Sequence, residues 1–333
     1  MKFLVIGYGS IGKRHAANVA SIGHQAVLLR HARGNENKDG FREYYSLDDV
    51  LENEKDIDGA IVCSPTTKHL DDVRQLVSNN MPFLLEKPTT HDLRSTGEMK
   101  GIIESNTFTL YDIGFNLRYH PVIGFIKDFL PNVGKVYATK IYVGYYLPYW
   151  RKGIDYREST SAKKELGGGV HVELAHDIDY ALWLMGCPEK VVGYVNRVSD
   201  LDISTDDICS ALLKYSDGSV AEVHLDYLSH KYLRGGQIIA ENGTLEWQWN
   251  PAEGSVSYFD KEGSDSKEIF ATGPGYDFNA TYIEELKHFI GTLNGSRKTR
   301  VNIDDAVETM KVIQAIEASD REEKWVAMEE IVL

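Results

Sequence analysis

A chain of 333 residues exceeds what one hydrophobic core usually serves, so two domains are expected. Apolar residues at 42% and charged residues at 26% are the balance of a globular protein, while a net charge of −14 excludes a nucleic-acid partner, which needs clustered Lys and Arg. No apolar run reaches the roughly 18 residues that span a bilayer, and Cys63, Cys187 and Cys209 lack metal-like spacing, so neither a membrane partner nor a metal is expected.

The N-terminus reaches Gly7 after four apolar residues, too few for a signal-peptide core, and with the odd cysteine count this suits a reducing cytoplasm. Lys2–Ile6 reads as a buried strand. Gly7-Tyr8-Gly9-Ser10-Ile11-Gly12 follows directly, and Ile11, His15, Val19 and Ile22 then recur at helical spacing until Gly23. Strand, glycine turn and helix stand in the order of a dinucleotide fold. Gly7 permits the turn, Gly9 lets backbone approach the pyrophosphate, and Gly12 lets helix pack on strand, while Ser10 and Ile11 present helix N–H groups to phosphate.

Gln25–Leu29 predicts a second strand, Leu47–Leu51 a short helix, and Asp58–Ser64 a strand ending at Pro65. Residues 69–79 predict a helix, Phe83–Leu85 a strand, His91–Ser105 a helix and Phe108–Phe115 a strand. This alternation implies an α/β doubly wound parallel sheet, whose ligands bind at the carboxyl ends of its strands. Ser64, Pro65, Thr66, His69, Glu86 and Lys87 are therefore further cofactor-binding candidates. After the second strand, where an NAD enzyme usually places an acid, stand Arg30 and Arg33. Guanidinium groups suit a 2′-phosphate, so NADP is expected ahead of NAD, with Glu36 able to support the NAD alternative.

Three strand ends carry more specific marks: Cys63-Ser64-Pro65-Thr66-Thr67 with His69, Glu86-Lys87-Pro88, and Gly114-Phe115-Asn116-Leu117-Arg118-Tyr119-His120-Pro121. With Gly167-Gly168-Gly169 and the late Tyr282-x-x-Glu285-x-x-x-Phe289 pattern, the chain resembles the glucose–fructose oxidoreductase / inositol dehydrogenase (Gfo/Idh/MocA) family over nearly its whole length. The resemblance implies a Rossmann domain over 1–121 and a substrate-binding α+β domain over 122–333, built on a large, mostly antiparallel open sheet. It also implies that the last helix returns to the nucleotide domain, and that copies meet through the open sheet as a homodimer or homotetramer.

Lys87 can be read without the family. A strand-end lysine beside a nucleotide site is partly desolvated and close to the cofactor's positive ring, and both favour its neutral form. It would orient the reacting hydroxyl or take its proton; the plain alternative is pairing with Glu86 or a phosphate. Residues 170–185 predict one helix, on which Leu174, Ile178, Ala181, Leu182 and Met185 form a packing stripe. Glu173, His176, Asp177 and Tyr180 form a second stripe after the three glycines. The resemblance implies that His176 hydrogen-bonds the reacting oxygen and works with Lys87, converging on it across a cleft. The family's acid stands four residues before its histidine, and Glu173 stands only three before His176. The expected catalytic set is Lys87, His176 and Glu173.

An aromatic and cationic segment follows residue 121: Tyr142, Tyr145, Tyr146, Tyr149, Trp150, Arg151, Tyr156 and Arg157. Aromatic faces pack on sugar C–H groups, and Arg donates to hydroxyls. Trp150, Arg151 and Arg157 are expected on one wall of a substrate pocket, Arg118, Tyr119 and His120 on another, with Asp177 and Tyr180 also in contact; the tyrosines can equally pack on a sheet. Residues 134–146, 189–199, 208–216, 219–229, 235–241 and 244–248 predict strands, with Asp217-Gly218 and Asn242-Gly243 as hairpin turns. Helices are expected near 278–292 and 304–318. These readings point to an NAD(P)-dependent oxidoreductase acting on a carbohydrate-like substrate. The alternatives are a redox-neutral sugar-modifying enzyme that retains its dinucleotide and a sensor that only binds one.

Overall fold

Six strands, β1 (Lys2–Ile6), β2 (Gln25–Leu29), β3 (Arg42–Tyr44), β4 (Gly59–Val62), β5 (Phe83–Glu86) and β6 (Tyr111–Gly114), form a wholly parallel sheet in the order β3-β2-β1-β4-β5-β6. The computed structural model describes residues 1–31, 37–106, 109–151, 153–263 and 266–333. Phe3–Ile6, Gly59–Val62 and Phe83–Glu86 are buried throughout, as expected of parallel strands covered on both faces. Alternate residues divide between two cores. Leu4, Ile6, Val62 and Leu85 pack with Val73 and Leu76 of α3 (Thr66–Ser78) and with Met99 of α4 (Leu93–Glu104). Phe3, Val5, Ile61 and Leu84 pack with Ala16 and Val19 of α1 (Ser10–Ser21) and with Leu286 and Phe289 of α8 (Asn279–Leu293). A short helix, α2 (Leu47–Asn53), sits between β3 and β4.

The chain forms two compact units, Met1–Phe115 with Thr281–Val307, and Asn116–Ala280 with Glu308–Leu333. The boundary thus falls after Phe115 rather than after residue 121. Val301, just before α9 (Ile303–Glu322), and Ile303 and Ala306 in its first turn belong to the first unit's core.

The second unit is built on a nine-stranded sheet, β14-β13-β12-β11-β7-β10-β9-β8-β15. Its strands are β7 (Val136–Gly144), β8 (Lys190–Asn196), β9 (Ile208–Lys214), β10 (Val220–Asp226), β11 (Leu233–Ala240), β12 (Gly243–Asn250), β13 (Glu253–Asp260), β14 (Lys267–Ala271) and β15 (Val326–Ala327). Every pair is antiparallel except β7 with β10. Gly218 (φ +88°) and Gly243 (φ +152°) supply the left-handed backbone of the two expected hairpin turns. Ile141, Val143, Val223, Leu225, Ile238, Leu245 and Trp247 line the buried face. Lys140, Tyr142, Glu222, Glu246 and Gln248 point the other way and are exposed. Helices α5 (Pro121–Phe129), α6 (Val170–Glu173) and α7 (Ala175–Met185) complete the unit. Among the described residues no helix is long and apolar enough to cross a membrane.

Candidate active site

In the first unit the strand order reverses between β1 and β4, where an open parallel sheet leaves a crevice at its strand ends. The glycine turn lies there. Gly7 has φ +90°, and a Cβ on it would lie 2.6 Å from the Cys63 carbonyl oxygen. A Cβ on Gly12 would lie 2.1 Å from the Gly7 carbonyl oxygen. Both glycines are therefore demanded by the fold. Gly9 differs: nothing lies within 4 Å of where its Cβ would be. Gly9 also begins α1, which has no side-chain cap and no acid in its first turn. An exposed helix N-terminus over bare backbone is a cradle for pyrophosphate, so the residues present fit a dinucleotide.

Neighbouring strand ends divide into open and engaged groups. Pro65 is exposed and Thr66 half-buried, at the rim of the crevice. Ser64 donates its hydroxyl to Asp72. His69 is buried, with Nε2 2.9 Å from the Ser64 carbonyl and Nδ1 3.0 Å from the Pro88 carbonyl. It braces two loops rather than reaching outward, which corrects its expected place against a cofactor. Glu86 is buried, with Oε1 2.7 Å from His15 Nε2, and its Oε2 accepts the Lys87 backbone N–H at 3.2 Å. Lys87 is half-buried at the same strand end.

Arg30 lies at the end of β2 but is not held out for a phosphate. Its side chain is 7% exposed, Nη1 donates to Glu43 Oε2 at 2.8 Å, and the guanidinium sits 5.9 Å from the centre of the Tyr8 ring. Glu43 also accepts from Tyr45 Oη at 2.7 Å, and the Tyr45 and Arg30 hydrogen bonds lower its pKa, so a carboxylate does stand at this corner, supplied by β3. Arg33, the other expected phosphate ligand, and Glu36 lie outside the described residues.

In the second unit the stretch expected as one helix is two. Leu174 (φ −96°, ψ 22°) ends α6 and begins α7, so a single 100° count does not carry across it. Leu174, Ile178, Ala181 and Leu182 are buried as the packing stripe requires. The opposite stripe does not form a free face. Asp177 and Tyr180 have no exposed surface, and Asp177 is gripped through both oxygens by Arg234, with Nε at 3.1 Å. Glu173 and His176 remain half-buried.

Arg118 and His120 likewise lie in the interior. Arg118 Nε and Nη2 donate to Asp179 at 3.0 and 2.7 Å, with side-chain exposures of 4 and 0%. His120 stacks on Trp249 with ring centres 4.6 Å apart, and burial pushes its pKa down to about 3, so the imidazole is neutral. Arg118, His120, Asp177 and Tyr180 are therefore corrected from substrate contacts to interior groups. Tyr119 is half-buried. Arg157 is exposed but closed onto Asp155 by contacts of 2.6 to 3.0 Å. Trp150 and Arg151 line a narrow hollow with Leu147, Ile154, Tyr156, Ser159 and Ser161. Trp150 Nε1 donates to the Tyr145 carbonyl, which fixes the ring.

One group near His176 went unread. His171 is 4% exposed, with Nδ1 3.0 Å from Asp206 Oδ2 and Nε2 2.9 Å from Glu317 Oε1. Burial opposes its charge, but the hydrogen bonds to Asp206 and Glu317 outweigh burial and raise its pKa to about 9. Asp206 also accepts the Val170 N–H, and a Cβ on Gly169 (φ +144°) would lie 2.9 Å from it. This clamp fixes the start of the segment that carries Glu173 and His176.

Comparisons with known proteins agree with this architecture. Residues 1–111 match the model described as an oxidoreductase family with an NAD-binding Rossmann fold, and residues 132–246 match the GFO/IDH/MocA C-terminal domain. The chain is 24% identical over 348 residues to myo-inositol 2-dehydrogenase of Thermotoga maritima, covering 100% of both proteins. Among solved structures it is similar to myo-inositol 2-dehydrogenase from Lactobacillus plantarum, at 22% identity and TM-score 0.81 over 98% of this chain and 99% of that one. It is also similar to levoglucosan dehydrogenase in complex with NADH, at 17% identity and TM-score 0.83, again over 98% and 99%.

Proposed function

The chain belongs to the Gfo/Idh/MocA oxidoreductase family, and from that premise we propose that it moves a hydride between a nicotinamide and an alcohol carbon of a carbohydrate-like substrate, a sugar, sugar acid, amino sugar or polyol. It is an NAD-binding dehydrogenase by family. The observation that carries the reading is the uncapped start of α1 over Gly9, with Lys87 at the end of a strand in the same sheet. When bound, the dinucleotide supplies the ring that takes or returns the hydride.

The backbone of Gly9, Ser10, Ile11 and Gly12 holds the pyrophosphate, and Pro65 and Thr66 border it. Lys87 and His176 move the proton of the reacting hydroxyl, and Glu173 orients His176. Trp150 and Arg151 contact the sugar, the indole by stacking and the guanidinium through hydroxyls. For the cofactor we favour NAD. A 2′-phosphate at the end of β2 would have to displace Glu43 from Arg30 and would meet the Glu43 carboxylate, whereas ribose hydroxyls can donate to it. We further propose that copies of the chain meet through the exposed face of the nine-stranded sheet, which carries Tyr142, Tyr194 and Leu212, and that the enzyme works in the cytoplasm.

A panel of inositols, aldoses, sugar acids and amino sugars, offered with NAD and with NADP, tests this reading. Net formation of reduced nicotinamide with at least one of them is expected. Tight dinucleotide retention with no net nicotinamide change across the panel would instead favour a redox-neutral reaction.

A further inference from the structure

Beneath the Glu86-Lys87 strand end the first unit buries three titratable side chains from three elements: His15 of α1, Glu86 of β5 and Glu285 of α8. One ligand-type atom of each lies within 4.8 Å of the others. Glu86 is well supplied with donors, His15 Nε2 at 2.7 Å on one oxygen and the Lys87 N–H at 3.2 Å on the other. Glu285 is 1% exposed, and neither of its oxygens has a hydrogen-bond partner among the described residues.

The groups around Glu285 do not offset a second negative charge. Asp112 on β6 and Glu86 are acids, Cys63 at the end of β4 is a buried thiol, and Tyr282 is a phenol one turn earlier on α8. His15 directs its Nε2 at Glu86 and packs edge-on against Tyr282. Arg14 stacks on the Tyr282 ring at 4.7 Å and makes no ion pair with Glu285 among the described residues.

Two carboxyl groups this close in an interior cannot both be ionised. The one with donors keeps the charge, and the one without keeps a proton. We propose that Glu285 is a neutral carboxylic acid at working pH and acts as a positioning residue, leaving Glu86 the sole anion that anchors the Lys87 backbone. Burial first, and then the charge of Glu86, push the Glu285 carboxyl well above the ordinary carboxylate range, in agreement with the geometry. Ionising Glu285 would set a second negative charge against Glu86 and loosen its grip on Lys87. The proton inventory stands on its own; the link to turnover rests on the reading of Lys87 above.

The folded state keeps a proton on Glu285 that the unfolded chain releases in the ordinary carboxylate range, so stability falls as pH rises from that range to the point where Glu285 ionises. Glu285→Gln keeps the shape and removes the proton. Denaturant unfolding of both proteins in steps upward from pH 5 should show the folding equilibrium of the variant gaining on wild type by about tenfold per pH unit, up to the pH at which Glu285 ionises. In the wild-type infrared spectrum a carboxylic-acid carbonyl band is expected at neutral pH and should be absent from the variant. The alkaline fall of kcat/KM in wild type should move in Glu285→Gln, a change that lost packing alone does not produce. A constant stability difference across pH together with no acid band would overturn the proposal, as would a divalent ion recovered one per chain from wild type and lost from the variant. If turnover is absent but the band and the stability slope are found, the enzymatic reading fails and the protonated Glu285 stands. An unmoved alkaline limb with both findings present removes the positioning role alone.

Discussion

Replacing Arg118 separates a substrate-binding role from a structural one. As a substrate ligand its loss would raise KM and leave stability alone; as the partner of Asp179 it does the reverse. Both side chains are out of water, at 4 and 0% exposure, and two hydrogen bonds of 3.0 and 2.7 Å join them. Arg118→Ala would leave the Asp179 carboxylate buried without its cation, which costs about 3–5 kcal/mol. Arg118→Lys should recover little, because an ammonium cannot make both contacts. The guanidinium lies 5.7 Å from the centre of the Trp183 ring, and urea unfolding followed by tryptophan fluorescence measures the loss of stability. Replacing both partners together by Met and Leu should restore most of the loss, since the cost lies in the orphaned charge. A destabilisation of Arg118→Ala below about 1 kcal/mol, the range of a solvent-exposed pair, would refute the interior assignment.

Gly9→Ala should unfold at the wild-type denaturant concentration yet bind dinucleotide poorly, whereas Gly12→Ala, whose Cβ would meet the Gly7 carbonyl at 2.1 Å, should lose both stability and binding; calorimetry and urea titration separate the two. Glu43→Ala should release Arg30 and raise the ratio of NADP to NAD affinity by about tenfold, read by nicotinamide fluorescence, and an unchanged ratio would remove Glu43 from cofactor choice. His171, raised from an ordinary value of 6.5 to about 9, contributes stability that is fully present below pH 6.5 and is lost as pH rises through about 9. That contribution is on the order of 3 kcal/mol, and the alkaline loss of stability in His171→Ala should be smaller than in wild type by about that amount.

The parallel sheet was legible because continuous apolar runs such as Phe3-Leu4-Val5-Ile6 alternate with helical periods, and glycine closures are local enough to read from spacing. β3 escaped because its three residues, Arg42, Glu43 and Tyr44, form no apolar run, and it was β3 that carried the acid missing from the end of β2. β13 and β14 escaped because one of their faces is partly solvated, and Ser255 and Ser257 dilute the strand signal. The break at Leu174 has no proline or glycine to announce it.

Interior charge was the largest gap. Arg118 and Asp179 are 61 positions apart, Asp177 and Arg234 57, and His171 and Glu317 146, so nothing in the local pattern marks any of them as paired. A polar stripe on a helix reads as a functional face until its partners are seen. His15 belongs to the periodic stripe of Ile11, His15, Val19 and Ile22, and its place on that stripe implies burial but not its partner Glu86, 71 positions away. Glu285 stood in view within the Tyr282-x-x-Glu285-x-x-x-Phe289 pattern, where its spacing from Phe289 sets it on the packed side of α8.

The direct test of the central claim compares dinucleotide affinity and turnover in one preparation of Lys87→Ala, using the best substrate from the panel. If Lys87 moves the proton, turnover should fall by about a hundredfold or more while dinucleotide affinity changes far less. Turnover at the wild-type rate in that variant would contradict the account.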